Sequence, residues 1–202
     1  MATSLVLVGL AKAIQPVWSA QGPFWFDLVV IGYLRGLASP LLTAVMLMVT
    51  WVGSAIGLLI FTLLAAGSLY RRGHRLEAGI LVLALLVGLV LDALLKEVSR
   101  RPRPELLPHL VAAGGYAFPS GHSMGTVSVY GTLVLIVWHL SRRRWLRAAA
   151  AAASAAIVLA VGLSRVYLGV HWPTDVLGGY LAGLIWVMAN RRILAGLRGA
   201  AP

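Results

Sequence analysis

The chain has no cysteine and only 6 acidic residues among 202. Without thiols it cannot build a disulfide framework or a cysteine-ligated metal or redox site. Charged residues of both signs make up 11% of the sequence and hydrophobic ones 60%, against roughly 25% charged and 45–50% apolar in an ordinary soluble domain. A water-soluble globule of this length could not cover its surface with so few charges. These shortages exclude a soluble enzyme and a disordered chain, and leave a polytopic membrane protein.

The charges present are lopsided, 17 Lys and Arg against 6 Asp and Glu, formally +11. They fall in short clusters between apolar runs, as in loops flanking transmembrane helices. No basic groove with interleaved aromatics is visible, so nucleic acid is not an expected partner. The bilayer is.

Crossing about 30 Å of hydrocarbon takes about 20 mostly apolar residues. Five runs qualify: Leu41–Leu69, Leu76–Leu95, Ser123–Leu140, Leu146–Leu163 and Val176–Ile193. A weaker sixth, Thr3 to Trp18, is interrupted by Lys12 and Pro16. It reads as a first span, because a signal peptide would need a basic n-region and a cleavage site. Between it and Leu41, the segment of about residues 20–40 mixes Trp25, Phe26, Asp27, Tyr33 and Arg35, which suits an amphipathic helix at the interface. The sequence therefore predicts an all-α, polytopic bundle of about six transmembrane helices, one domain over residues 1–202. Nothing in it points to an oligomeric state. Arg71, Arg72 and Arg75, then Arg142, Arg143, Arg144 and Arg147, then Arg191, Arg192 and Arg198 fall on one side, which the positive-inside rule makes cytoplasmic, C-terminus included.

Arg35 falls at the other side, and so, against that rule, do Lys96, Arg100, Arg101, Arg103 and Arg165. They belong to three polar clusters that share one membrane face: Lys96 to Pro104, Pro119-Ser120-Gly121-His122, and Ser164-Arg165 followed by His171 and Asp175. Lys96, Arg103 and Arg165 supply cationic donors, and arginine forks match phosphate oxygens. Ser120 and Gly121 stand at a helix start, where free N–H groups and the positive dipole end attract anions. Asp175 is close enough in sequence to hold one imidazole nitrogen of His171, leaving the other as a nucleophile, with His122 as general acid–base. Three cations in one place argue against a metal.

In this order the clusters resemble the type 2 phosphatidic acid phosphatase (PAP2) superfamily, with its pattern K-x6-RP, PSGH and SR-x5-H-x3-D. Within it the chain is most similar to small bacterial phosphatidylglycerophosphate phosphatases of type B. The resemblance implies a metal-independent, cofactor-free lipid phosphatase of a bacterial inner membrane, with its site at the outer face. Its substrate would be phosphatidylglycerophosphate or undecaprenyl diphosphate, cleaved through a phosphohistidine. The catalytic residues would be His171, His122 and Asp175, and the phosphate-binding residues Lys96, Arg103, Ser120, Gly121 and Arg165. The same residues would serve transfer to a second lipid, or transport of a phosphorylated lipid without chemistry. One departure is Arg101-Pro102, a second Arg-Pro pair. The six-residue spacing favours Arg103 over Arg101 as the phosphate ligand.

Asp92, four residues before Lys96, reads as its neutralising partner along one helix face. Glu97, Arg100 and Glu105 read as solvated loop charges, and His74, His109 and His139 as interfacial. Tyr116 and Phe118 are placed to line a lipid access path.

Overall fold

The computed structural model describes residues 23–106 and 108–199, and among them every regular element is a helix. In chain order these are α1 (Trp25–Gly36), α2 (Pro40–Val52), α3 (Ala55–Arg71), α4 (Arg75–Ser99), α5 (Gly121–Leu140), α6 (Arg144–Tyr167) and α7 (Pro173–Gly199). The expected first span, Thr3 to Trp18, lies outside the described residues.

Helices α4, α5 and α6 are each long and apolar enough to cross a membrane. The long run Leu41–Leu69, expected as one span, is instead two helices, α2 and α3, bent by 51° and a fourth span if taken together. The break falls at Gly53-Ser54, where the Ser54 hydroxyl caps α3 by accepting from the Gly57 N–H at 3.0 Å. A hydropathy window sees leucines on both sides of that break and passes over it. Helix α7 does not reach the same apolarity, because Thr174, Asp175, Asn190, Arg191 and Arg192 punctuate it. The span count of six is therefore not what the described helices alone deliver. They give three, or four with the bent pair.

Around the helices runs an exposed apolar belt, including Leu59, Leu63, Leu86, Val90, Leu159, Leu181 and Met188. On water such a continuous surface would drive association; in a bilayer it is matched to the solvent. Lipid removes much of the hydrophobic drive between helices, so close backbone approach carries the association instead. Helices α5 and α7, the most intimate pair, show this. A Cβ added at Gly183 would stand 2.7 Å from the Val127 Cβ and 2.9 Å from the Met124 carbonyl oxygen.

Helix α1 presents two different faces. Its buried stripe is Asp27, Ile31 and the partly covered Leu34, set against α6 and α7. Its exposed face carries Trp25, Val29 and Tyr33. The one acid of this helix points into the protein rather than towards headgroups.

Helix α4 runs 25 residues from Arg75 to Ser99, roughly 37 Å at 1.5 Å per residue. It separates the basic turns around residues 72–74 and 141–143 from the end where Lys96 and the start of α5 meet.

Gly183→Ala should destabilise the bundle by about 1–3 kcal/mol, because the clash is with a backbone carbonyl and a Cβ that cannot swing away. Thermal unfolding in detergent checks this, and an unchanged midpoint would contradict it.

Candidate active site

Three helix ends and two loops converge on a cavity of about 290 Å³. Lys96 comes from the end of α4, Gly121 and His122 from the start of α5, Arg165 from the end of α6, and Arg103 and His171 from the connecting loops. These six sequence-predicted residues share its wall. Two others do not reach it: Ser120 and Asp175 are fully buried behind the lining.

Ser120 is the N-cap of α5, its hydroxyl oxygen accepting from the Ser123 hydroxyl at 3.0 Å and the Ser123 N–H at 3.5 Å. Capping leaves the first-turn N–H groups of Gly121 and His122 without intrahelical acceptors. They stand at the positive end of the α5 dipole, at the cavity edge. Gly121 is needed for space: a Cβ there would lie 2.7 Å from Asp92 Oδ2 and 2.9 Å from Lys96 Nζ. Asp92 and Lys96 form the expected ion pair across one turn of α4. Asp92 Oδ1 is buried with no hydrogen-bond partner.

The cationic side chains are held from behind. Arg165 donates to Thr50 Oγ1 at 2.8 Å, while its buried Nε has no partner. Arg103 donates to the Gly114, Gly115 and Val170 carbonyls at 2.7, 3.1 and 2.7 Å. Its Nη1 also lies 3.2 Å from His171 Nε2. An arginine has no acceptor, so Nε2 must carry the ring's lone pair and Nδ1 its hydrogen. His171 is almost wholly buried. Burial first, then Arg103, Arg165 and Lys96, hold its pKa well below the usual histidine range, against a small opposing contribution from the Ala117 backbone. The ring is thus neutral, with its lone pair at the cationic end of the cavity.

Asp175 stands differently from its expectation. Its Oδ2 is 3.5 Å from His171 Nδ1, a separation with no hydrogen bond, and Nδ1 is unpartnered. Asp175 is otherwise engaged: Oδ2 accepts from the Trp172 N–H at 2.8 Å, and Oδ1 accepts from Arg101 Nη1 at 2.5 Å. The same Nη1 donates to Thr174 Oγ1 at 2.7 Å, and Nη2 donates to Asp27 Oδ2 at 3.3 Å. The Arg101 side chain is 2% exposed. Two adjacent Arg-Pro pairs therefore divide the work, Arg101 as a buried clamp and Arg103 as a lining cation.

Sequence reasoning missed the clamp, the Ala112–Gly114 stretch of the wall, and Gly53, Ala55, Leu58 and Leu89 on its other side. The helix break at Gly53-Ser54 was the available signal for the second group. Phe118 is 6% exposed and set against Gly178 of α7, and neither it nor Tyr116 lines the cavity. Glu97 and Arg100 form an exposed pair at 3.4 Å, as expected of solvated charges. Among the described residues, no three His, Asp or Glu side chains converge as a metal-binding group.

The PAP2 superfamily model matches residues 77–196. The chain is 36% identical to phosphatidylglycerophosphatase B of Bacillus subtilis over 152 residues, 74% of this chain and 73% of that one. It is 30% identical to the undecaprenyl-diphosphatase BcrC of the same organism over 142 residues, 65% of this chain and 63% of the relative. Its fold matches the crystal structure of a transmembrane PAP2-type phosphatidylglycerolphosphate phosphatase from Bacillus subtilis, with a TM-score of 0.77 at 32% identity over 95% and 94% of the two chains. It also matches Aquifex aeolicus LpxE, with a TM-score of 0.66 at 25% identity over 84% and 96%.

Replacing Arg101 with Met strands two buried carboxylates and should cost about 3–5 kcal/mol of stability. Arg103→Met, at a half-exposed position, should cost much less. Denaturant unfolding of both variants in detergent checks the contrast, and equal losses would contradict the division.

Proposed function

This chain belongs to the PAP2 superfamily, and from that membership we propose that it hydrolyses the terminal phosphate of a membrane lipid, phosphatidylglycerophosphate or undecaprenyl diphosphate. The observation that carries the reading is the buried His171, whose Nε2 meets Arg103 Nη1 at 3.2 Å in a cavity walled by Lys96, Arg103 and Arg165. The relatives' names supply the substrate class.

In the proposed reaction the phosphoryl oxygens take the Arg103 donor now turned on Nε2, together with Lys96, Arg165 and the N–H groups at the start of α5. Freed of Arg103, His171 Nε2 attacks phosphorus. The new N–P bond forms as the bond to the lipid oxygen breaks, and His122, which must take up a second proton together with the anionic substrate to act as the acid, gives that proton to the oxygen. Asp175 then closes its 3.5 Å gap and accepts from Nδ1–H, stabilising the charge left on the phosphorylated ring. Water attacks the same phosphorus, His122 takes its proton, the N–P bond breaks and phosphate leaves. Preorganised cations aimed at the developing charge supply most of the acceleration. The general acid–base contributes about 10²–10⁴-fold. The active face is outward and the C-terminus cytoplasmic, which the basic turns at the opposite end of the helices support.

His171→Ala should abolish phosphate release from phosphatidylglycerophosphate in detergent, and vanadate should inhibit the wild type as a phosphate mimic. Normal release by the variant would refute the mechanism, and insensitivity to millimolar vanadate would refute the cationic cradle. Because the His171 pKa is lowered, its nucleophilic form persists as pH falls. The acid limb of kcat/KM, which reports the free enzyme, should lie below about 6.5, the value of an unperturbed imidazole. A limb above that value would show that His171 is not held neutral in this way.

A further inference from the structure

Asp27 lies 50 positions before the family match begins at residue 77, so no family motif includes it, yet it is completely buried against the site. It accepts four hydrogen bonds. Oδ1 takes the Thr174 N–H at 3.0 Å; Oδ2 takes the Thr174 hydroxyl at 2.9 Å, the Phe24 N–H at 3.1 Å and Arg101 Nη2 at 3.3 Å. The direction of the chain is fixed, because arginine can only donate. Arg101 Nη1 donates to Thr174 Oγ1, whose own hydrogen goes to Asp27.

We propose that Asp27 is a positioning residue for the phosphoryl transfer, acting through Arg101 and Asp175 on His171. The inference rests on the proposed role of His171. Two consequences of the geometry carry it. First, Asp27 holds Nη2 while Thr174 and Asp175 engage Nη1, so that together with the Trp172 ring it helps set the plane of the guanidinium, and with it where Asp175 Oδ1 sits and how far Oδ2 stands from Nδ1. Displacements of about 1 Å at such a site can cost about 10²-fold in rate. Second, one guanidinium is shared between two carboxylates, 3.3 Å from Asp27 and 2.5 Å from Asp175. Without the charge of Asp27, Arg101 would neutralise Asp175 alone and weaken its pull on the charged ring.

A tether that merely anchors α1 would predict something else: fewer folded molecules, each with unchanged chemistry. The test is a double-mutant cycle on the full chain in detergent, using phosphatidylglycerophosphate, with Asp27→Asn and Asp175→Asn singly and together. Activity is normalised to monodisperse protein. Asp27→Asn, isosteric and uncharged, should lower kcat about 10-fold or more with KM within about twofold. In the Asp175→Asn background the same change should alter kcat by less than about twofold, the non-additivity expected of a shared path. Equal factors in both backgrounds, or a wild-type kcat, would overturn the proposal. If Asp27→Asn does not fold, Thr174→Val removes the hydroxyl link between Arg101 and Asp27 while leaving their direct bond, and is read in the same cycle with a smaller expected loss of about threefold. Equal factors in both backgrounds would again overturn it. A His171→Ala control separates the two readings: release retained there sinks the phosphohistidine, whereas the cycle alone decides Asp27.

Discussion

The site depends on one buried guanidinium held between two helix starts. Asp27 is the third residue of α1 and Asp175 the third of α7, and each turns back to accept the N–H just before its helix, at Phe24 and at Trp172. A carboxylate in that position satisfies an orphan donor and complements the positive end of the dipole. Each therefore stabilises its own helix even without a partner. Arg101 then sits where two positive helix ends converge, which is tolerable because both carboxylates are there. The alternative, a charge buried alone, costs several kcal/mol. The stacking of Arg101 against Trp172, 5.6 Å from guanidinium carbon to ring centre, closes the cluster.

Acids are scarce in this sequence, and where they went is informative. All three aspartates, Asp27, Asp92 and Asp175, lie at or directly behind the cavity, each against a cation. The cavity wall itself presents Lys96, Arg103 and Arg165. Of these cations only Lys96 has a carboxylate partner, Asp92, which shares the wall with it; Arg103 is held by backbone carbonyls and Arg165 by Thr50, while Asp27 and Asp175 engage Arg101 behind the wall. Under the proposed function, such an arrangement would bind phosphate by electrostatics and orientation.

Much of this was legible in the sequence. The helical class follows from long apolar runs, and the six lining residues Lys96, Arg103, Gly121, His122, Arg165 and His171 follow from motif spacing, since helix ends bring short local patterns to one face. The Asp92–Lys96 pair follows from an i,i+4 step. The rest depended on separations that no local pattern encodes. Arg101 meets Asp27 and Asp175 across 74 residues in each direction, and alternation of Arg-Pro pairs cannot say which arginine turns inward. The bend at Gly53-Ser54 was hidden because hydropathy averages over one polar residue in a long apolar run. The packing of Phe118 on Gly178 was likewise out of reach, because nothing local pairs a loop aromatic with a glycine of α7.

The central claim is that His171 carries the phosphoryl group. It is tested most directly by trapping that group during turnover of phosphatidylglycerophosphate, using His122→Ala to slow the water step, quenching in alkali and mapping the phosphate by peptide mass spectrometry. Phosphate on the peptide containing His171, absent when His171 is replaced, is the predicted result. Phosphate on another residue, or continued turnover with none on His171, would contradict the account.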